Sequence, residues 1–103
     1  AFASDAIALR IARDVVGRGL DKAMAKNQRL FVYLPYEHSE NAADQARSVE
    51  LMTGLDDAEL TKYAVAHKVI IDRFGRFPHR NAILGRPSSD EEIAFLEEPN
   101  SSF

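Results

Sequence analysis

The sequence contains no cysteine, and this absence limits the chemistry available to the protein. It excludes disulfide bonds, thiolate metal ligands and a cysteine nucleophile, so any metal would have to be bound by histidine, aspartate and glutamate. A chain without disulfide bonds suits the reducing environment of the cytosol. The sequence therefore predicts a cytoplasmic protein.

Long apolar runs and an excess of positive charge are missing as well. The longest apolar run, Leu30 to Leu34, falls far short of the roughly 20 residues that span a bilayer. The chain carries 13 basic and 16 acidic residues, which gives a net charge of −3. Nucleic-acid-binding domains usually present a basic face. We therefore expect neither a membrane nor a nucleic acid as a partner.

Helical periodicity, in contrast, is present along most of the chain. Ile7, Ile11 and Val15 recur at steps of four and predict one apolar stripe on a first helix. Residues 22–34 are ambiguous, because an aromatic and β-branched run before Pro35 fits a buried strand as well as a helix. We favour a helix for this segment.

Three further helices are indicated by capping residues and apolar periodicity. The first of them is predicted to start at Ser39 and to end near Gly54, and the second to start at Asp56 or Asp57 and to end at Gly75. The third is predicted to start at Ser88, which has the spacing of a capping box with Glu91. No alternating strand with a hairpin dipeptide occurs. The pattern predicts one all-α domain over residues 1–103, with about five helices in antiparallel pairs.

A basic segment follows Asp72 and is the most distinctive local feature of the chain. It contains Arg73, Arg76, Arg80 and Arg86 without an intervening acid. Guanidinium groups bind carboxylate and phosphate through two parallel hydrogen bonds. One interpretation is therefore a small anion site at the loop from Arg76 to Asn81.

The other interpretation of the basic segment is internal charge pairing. Residues 37–59 contain seven acids and a single base, so their negative charge complements the positive charge of the basic segment. On this interpretation Arg76 or Arg80 pairs with one of three carboxylates. The three candidates are Glu37, Glu40 and Asp44.

The three histidines have different sequence environments. His67 lies among apolar residues at helical spacing, which is typical of a hydrogen-bonded core histidine. His79 lies in a loop that begins with proline, where an imidazole can act as acid, base or anion donor. Glu37, His38, Glu40 and Asp44 could bind a metal, but the spacings of known zinc and di-iron motifs are absent. We predict no metal and no other cofactor.

Several longer motifs occur in a fixed order along the chain. They are Tyr33-Leu34-Pro35-Tyr36-Glu37-His38-Ser39-Glu40, Asp44-Gln45, Arg47-Ser48, His67, the segment from Phe74 to Asn81, and Leu84-Gly85-Arg86-Pro87-Ser88. In this order and spacing, the chain resembles the uncharacterised bacterial family known as domain of unknown function 924. The resemblance implies an all-helical, tetratricopeptide-like fold, a right-handed array of antiparallel helix pairs. It implies no established activity.

Members of that family look longer at the N-terminus, where an upstream helical region carries an Asp-Gln-Phe-x-Arg-Asn-type motif. By this resemblance the chain corresponds to the C-terminal part of a longer family domain. Its first helix would then lack a packing partner. We expect the stripe of Ile7, Ile11 and Val15 to be covered by the missing segment or by a second chain.

Three functional hypotheses follow from these observations. The first is a binding module for a small anionic ligand or peptide, with Glu37, His38, Glu40, Arg76, His79, Arg80 and Asn81 as candidate ligand-binding residues. The alternative is an enzyme of unknown reaction, in which Glu37 or His38 acts as base while His79 and Arg80 stabilise negative charge. The third is a helical scaffold that presents a groove to a partner. The sequence favours a binding or interaction module.

Overall fold

The chain folds as a series of packed helices. The computed structural model describes the backbone of residues 2–99 and the side chains of residues 5–99. Within these limits it contains no β-strand. The α-helices are α1 (Phe2–Gly17), α2 (Lys26–Glu37), α3 (Ala42–Thr53), α4 (Ala58–Phe74), α5 (Asn81–Leu84) and α6 (Asp90–Leu96), and two 3₁₀ helices span Leu20–Ala23 and Pro78–Arg80. The predicted all-α fold is confirmed, with six α-helices in this part of the chain instead of about five.

The ambiguous segment before Pro35 is helical, and the proline lies inside α2 without ending it. Proline has no N–H, so the helix loses one backbone hydrogen bond there. The chain nevertheless continues to Glu37, and the N–H of His38 donates to the carbonyl of Leu34 at 3.0 Å. The helix therefore carries Glu37 and His38 to its C-terminal end, where both belong to the candidate site.

The start of α3 differs from the sequence prediction. Asn41 caps this helix, because its Oδ1 accepts the N–H of Asp44 at 3.1 Å. Ser39 does not cap it. The hydroxyl of Ser39 donates instead to the carboxylate of Asp44 at 2.7 Å.

The start of α6 is shifted by one residue from the prediction. Ser89 and Glu92 form the capping box, and the Ser89 hydroxyl accepts the N–H of Glu92 at 3.1 Å. The predicted pair Ser88 and Glu91 has the same spacing but lies one position too early. Ser88 accepts a hydrogen bond from Nδ2 of Asn81 at 3.0 Å instead.

Both ends of α4 follow the predicted chemistry. The carboxylate of Asp57 accepts the N–H groups of Glu59 and Leu60 at 3.1 and 3.3 Å. Gly75 ends the helix with a φ of 72°, a left-handed conformation that favours glycine. The sharp turn at Gly75 directs the chain into the basic loop.

Sequential helices pack against one another, α1 on α2, α2 on α3 and α3 on α4. Two groups of buried side chains hold this arrangement together. The first comprises Tyr33, Met52, Leu55 and Ala64, and the second comprises Ile70, Ile71 and Phe77 with Phe74 and Phe95 packed against them. Phe77 belongs to the second group, so the basic loop is fastened to the core through an aromatic side chain.

An apolar surface formed by α1 and α2 is exposed within the described residues. Ile7 and Ile11 are 51% and 58% exposed, and Phe31 on the neighbouring α2 is 76% exposed. The predicted apolar stripe is thus present on α1 and open along much of its length. Which partner covers it stays a prediction.

Length and apolar character together decide whether a helix can cross a bilayer. Between residues 2 and 99, no helix combines the length and the apolar character that this requires.

Candidate functional site

The loop after α4 is built to hold a fixed shape. Gly75 turns the chain, Phe77 is fully buried, and Pro78 begins the 3₁₀ helix Pro78–Arg80. Proline at this position fixes φ and so reduces the conformational freedom of the unfolded chain. The polar side chains of the loop are therefore presented by a rigid backbone.

Arg76 does not pair with any of the acids that the sequence suggested. Its guanidinium contacts the carboxylate of Glu92 at 2.6 and 2.9 Å and donates to the carbonyl of Pro87 at 2.8 Å. The bonds from Arg76 lower the pKa of the buried Glu92 from its usual value to about 2. The predicted pairing of Arg76 with Glu37, Glu40 or Asp44 is wrong, because Arg76 fastens α6 to the loop.

Glu40 is bound by a different arginine. Arg86 donates to its two carboxylate oxygens at 2.8 and 3.1 Å, and the N–H of Phe77 donates to it at 2.6 Å. Burial alone would raise the pKa of Glu40, but these bonds lower it. Asp44, the third predicted partner, pairs with Arg13 at 2.6 Å. Asp44 and Glu40 therefore pair with Arg13 and Arg86, which the sequence did not suggest as their partners, while a pairing of Arg80 with these acids stays a prediction.

Asn81 is also part of the supporting structure. It is 1% exposed, and its Oδ1 accepts a hydrogen bond from Nε of Arg86 at 3.0 Å. Its Nδ2 donates to Ser88. Of the predicted site residues, Asn81 and Arg76 are thus engaged in contacts that hold the loop together.

Three of the other predicted residues meet at one cleft. A cavity of about 190 Å³ opens between α1, the end of α2 and the 3₁₀ helix Pro78–Arg80. His38, Glu40 and Arg80 line it, together with Ser39 and with Asp5 of α1. The structure therefore brings residues from three distant segments of the sequence to one concave surface.

The pKa of Arg80 is shifted in the opposite direction from the pKa values of Arg13 and Arg76. Hydrogen bonds to Asp44 raise the pKa of Arg13, and those to Glu92 raise the pKa of Arg76. Burial instead lowers the pKa of Arg80, and the attraction of Glu40 and Asp5 does not offset that loss of hydration. The guanidinium of Arg80 lies 4.7 Å from the centre of the Phe77 ring, a cation–π distance.

Glu37 and His67 lie side by side behind the cleft, and each is 5% exposed. Burial raises the pKa of Glu37 to about 7 and lowers the pKa of His67. With its proton on Nδ1, His67 donates to the carbonyl of Tyr63 at 2.7 Å, and this nitrogen lies 4.0 Å from Oε2 of Glu37. The buried position predicted for His67 is confirmed, while its contact with Glu37 was not foreseen.

The remaining histidines complete a cluster around Phe77. The ring centre of His38 lies 6.2 Å from that of His67, and the rings of His67 and His79 each lie 5.7 Å from Phe77. Burial lowers the pKa of both His38 and His79, and Arg80 adds to this effect. Imidazoles in this region are therefore held in their neutral form, in which they can accept protons or bind metals.

Comparison with known protein families decides the affiliation of the chain. The model of the family described as "Bacterial protein of unknown function (DUF924)" matches residues 1–100. The chain belongs to this family. A search of curated proteins gives no match.

A solved structure with a similar fold is that of the protein of unknown function ATU0120 from Agrobacterium tumefaciens. The two chains are 41% identical and superimpose with a TM-score of 0.87. The match covers 93% of this chain and 54% of the Agrobacterium protein. This DUF924 chain therefore spans about half the length of that relative.

A second, larger cleft of about 430 Å³ was not foreseen. Tyr33 at its wall donates to the carboxylate of Asp21, and Nε of Arg29 donates to the Tyr33 hydroxyl at 3.1 Å. Asp21 is 4% exposed although its neighbours Leu20 and Lys22 are exposed. Nothing in the local sequence separates this aspartate from surface acids, since its burial follows from tertiary packing.

Proposed function

We propose that the protein binds a small molecule bearing a carboxylate or phosphate group in the cleft between α1, the end of α2 and Pro78–Arg80. The observation that carries this proposal is the convergence of Arg80 and His38 on one concave surface. Arginine provides forked donors for an anion, and a neighbouring imidazole can add a further hydrogen bond. Arg80 is the principal donor in this proposal.

The electrostatics of Arg80 support an anionic ligand. Its burial costs hydration that the nearby acids do not restore, as the lowered pKa indicates. An anion placed against the guanidinium would offset that cost. The contact with the Phe77 ring and the rigid loop also reduce the entropy that Arg80 would lose on binding.

The size of the cleft restricts the ligand. Its volume of about 190 Å³ is below the roughly 300 Å³ at which pockets for drug-sized molecules begin. A compact carboxylate or phosphate ester fits this volume better than a nucleotide. A peptide could insert only one acidic side chain or a terminal carboxylate.

Calorimetry with phosphate, citrate and short acidic peptides tests the proposal. The purified chain should bind at least one of them, and Arg80→Ala should weaken that binding about 10-fold or more while the protein stays folded by circular dichroism. Arg47→Ala is the matched control, because it removes the same charge at an exposed position outside this cleft. Equal affinities in the wild type and Arg80→Ala, or no binding across the panel, would contradict the proposal.

We propose further that the apolar face of α1 and α2 is covered by a helix of the family domain that lies outside residues 1–103. Ile11, Val15 and Phe31 line an apolar groove of about 250 Å³ on this face. The match covers only 54% of the Agrobacterium relative. Much of that protein is therefore available to cover a surface that stays open here.

Binding in trans tests this second proposal. The unmatched part of the Agrobacterium protein, produced separately, should bind the wild-type chain, and Ile11→Lys should abolish the complex. Lys62→Glu, an exposed change on α4, is the control. A concentration-dependent dimer of the chain that Ile11→Lys abolishes, with no binding of the added segment, would assign the face to a second copy instead.

The other functional hypotheses stay predictions. An enzyme that uses Glu37 or His38 as base and His79 with Arg80 to stabilise charge would occupy the same cleft, but the geometry indicates no particular reaction. The scaffold hypothesis depends on a tetratricopeptide-like, right-handed arrangement, because stacked helix pairs present extended grooves to partners.

A further inference from the structure

We propose that Glu37, His38 and His67 form a binding site for a divalent transition-metal ion, with Zn²⁺ as the best-matched ion. Each residue offers one ligand atom, and the three atoms lie within 4.8 Å of one another. Glu37 and His38 end α2, and His67 comes from the middle of α4, so packing of two helices creates the cluster. The sequence predicted no metal because these residues do not follow a known motif spacing.

The geometry requires only a small adjustment. Ligand atoms bound to one tetrahedral zinc ion at about 2.0–2.1 Å lie roughly 3.3 Å apart. The three ligand atoms of the cluster lie within 4.8 Å of one another, so the separations exceed that spacing by at most about 1.5 Å. His38 is exposed, so rotation of its side chain can bring its imidazole closer to the other two ligands.

The ligand types select among metals. Two imidazoles and one carboxylate suit zinc and similar transition metals, whereas Ca²⁺ and Mg²⁺ prefer sites made of oxygen ligands. His67 would bind the metal through Nε2, because its Nδ1 donates to the carbonyl of Tyr63, and that hydrogen bond fixes the ring as outer contacts of metal-binding histidines commonly do. A metal ion would also stabilise a Glu37 carboxylate that burial otherwise disfavours.

The cluster has the composition of an open metal site. Structural zinc sites use four protein ligands, while catalytic sites use three and leave a position for water or substrate. Here three protein ligands are present, and His38 also lines the cleft that contains Arg80. A bound ion would therefore lie at the inner wall of that cleft. This inference is independent of the anion proposal, because the metal alone serves as the probe.

Titration of the purified, metal-free chain with Zn²⁺ by calorimetry, and with Co²⁺ by visible absorption, tests the inference. We expect one ion per chain and a Co²⁺ spectrum typical of low-coordinate nitrogen and oxygen ligation. His38→Ala removes a ligand and should lower the affinity about 100-fold. This loss is at the upper end of the roughly 10–100-fold losses caused by changes to the outer contacts of metal ligands. Glu37→Gln, which keeps the shape of the side chain, should lower the affinity to a similar extent.

Two matched controls exclude unspecific binding. His79→Ala leaves the same number of histidines as His38→Ala, and Glu50→Gln neutralises an exposed carboxylate on α3. Both variants should bind Zn²⁺ with an affinity within about threefold of that of the wild type. Changes to the outer contacts of metal ligands, in comparison, typically lower the affinity roughly 10–100-fold. No saturable binding by the wild type, or equal losses in His38→Ala and His79→Ala, would overturn the inference. If Glu37→Gln fails to fold, the comparison of the two histidine variants still decides it.

Discussion

Nη1 and Nη2 of Arg86 donate hydrogen bonds to the two carboxylate oxygens of Glu40, at 2.8 and 3.1 Å, although the two residues lie 46 positions apart in the sequence. Arg86 also donates to the carbonyl of Phe77 at 3.2 Å, and Glu40 accepts the N–H of the same residue. These contacts close a ring that ties the connection between α2 and α3 to the basic loop. The ring thereby fixes one wall of the candidate cleft.

Breaking this pair should destabilise the fold and loosen the cleft. Arg86→Ala leaves a partly buried carboxylate without its main partner, and we expect a loss of about 2 kcal/mol in the free energy of unfolding. The value lies below that for fully buried pairs because each side chain is 25% exposed. Urea unfolding measures it. Arg47→Ala, whose ion pair is exposed, should change stability by less than about 0.5 kcal/mol, and an equal loss in both variants would refute the assignment.

The sequence predicted the all-α architecture, the basic loop and the buried position of His67 because helical period and glycine stops are local signals. It did not predict which arginine meets which acid. Arg76 and Arg86 look alike in the sequence, and only the turn at Gly75 and the position of α6 direct one to Glu92 and the other to Glu40. Such pairings depend on tertiary distances, which periodicity does not encode.

The capping residue of α4 is a second case in which structure resolves a choice that the sequence left open. Asp57 accepts two backbone N–H groups, whereas Asp56 has a φ of 55° in the left-handed region. Asp57→Ala should therefore cost about 1 kcal/mol, and Asp56→Gly should be neutral or stabilising by a few tenths. Thermal unfolding of both variants checks this. Destabilisation by Asp56→Gly larger than that by Asp57→Ala would reverse the assignment.

Tyr33 should be important for stability through its hydroxyl as well as its ring. The hydroxyl donates to Asp21, and both residues are buried. Tyr33→Phe keeps the packing but removes the donor from a buried carboxylate, so we expect a loss of about 1–3 kcal/mol. Tyr63→Phe is the control, since Tyr63 is 52% exposed. Chemical denaturation compares the two, and similar small effects would show that the Asp21 contact contributes little.

The clearest pH dependence should come from Glu92. Bonds from Arg76, from the N–H of Ser89 and from Asn81 lower its folded-state pKa to about 2, from an ordinary value of 4.5. Because the folded-state pKa is depressed, the unfolded chain takes up the proton first as the pH falls. The stabilisation by Glu92 is therefore complete above about pH 4.5 and is lost between that value and pH 2. We expect it to amount to about 2 kcal/mol, discounted because Arg76 remains 29% exposed.

Glu92→Gln isolates this charge, because glutamine at the same position can still complete the capping box with Ser89. The variant should be less stable than the wild type at neutral pH, and the difference should shrink towards pH 2 as the wild-type carboxylate is protonated. Glu91→Gln is the matched control, since Glu91 is 64% exposed and pairs with Arg73 on the surface. Urea unfolding of the three proteins between pH 2 and 7 provides the measurement. A stability difference that stays constant over this range would mean that the bonds to Arg76 do not depress the pKa of Glu92, and that another contact holds α6 to the loop.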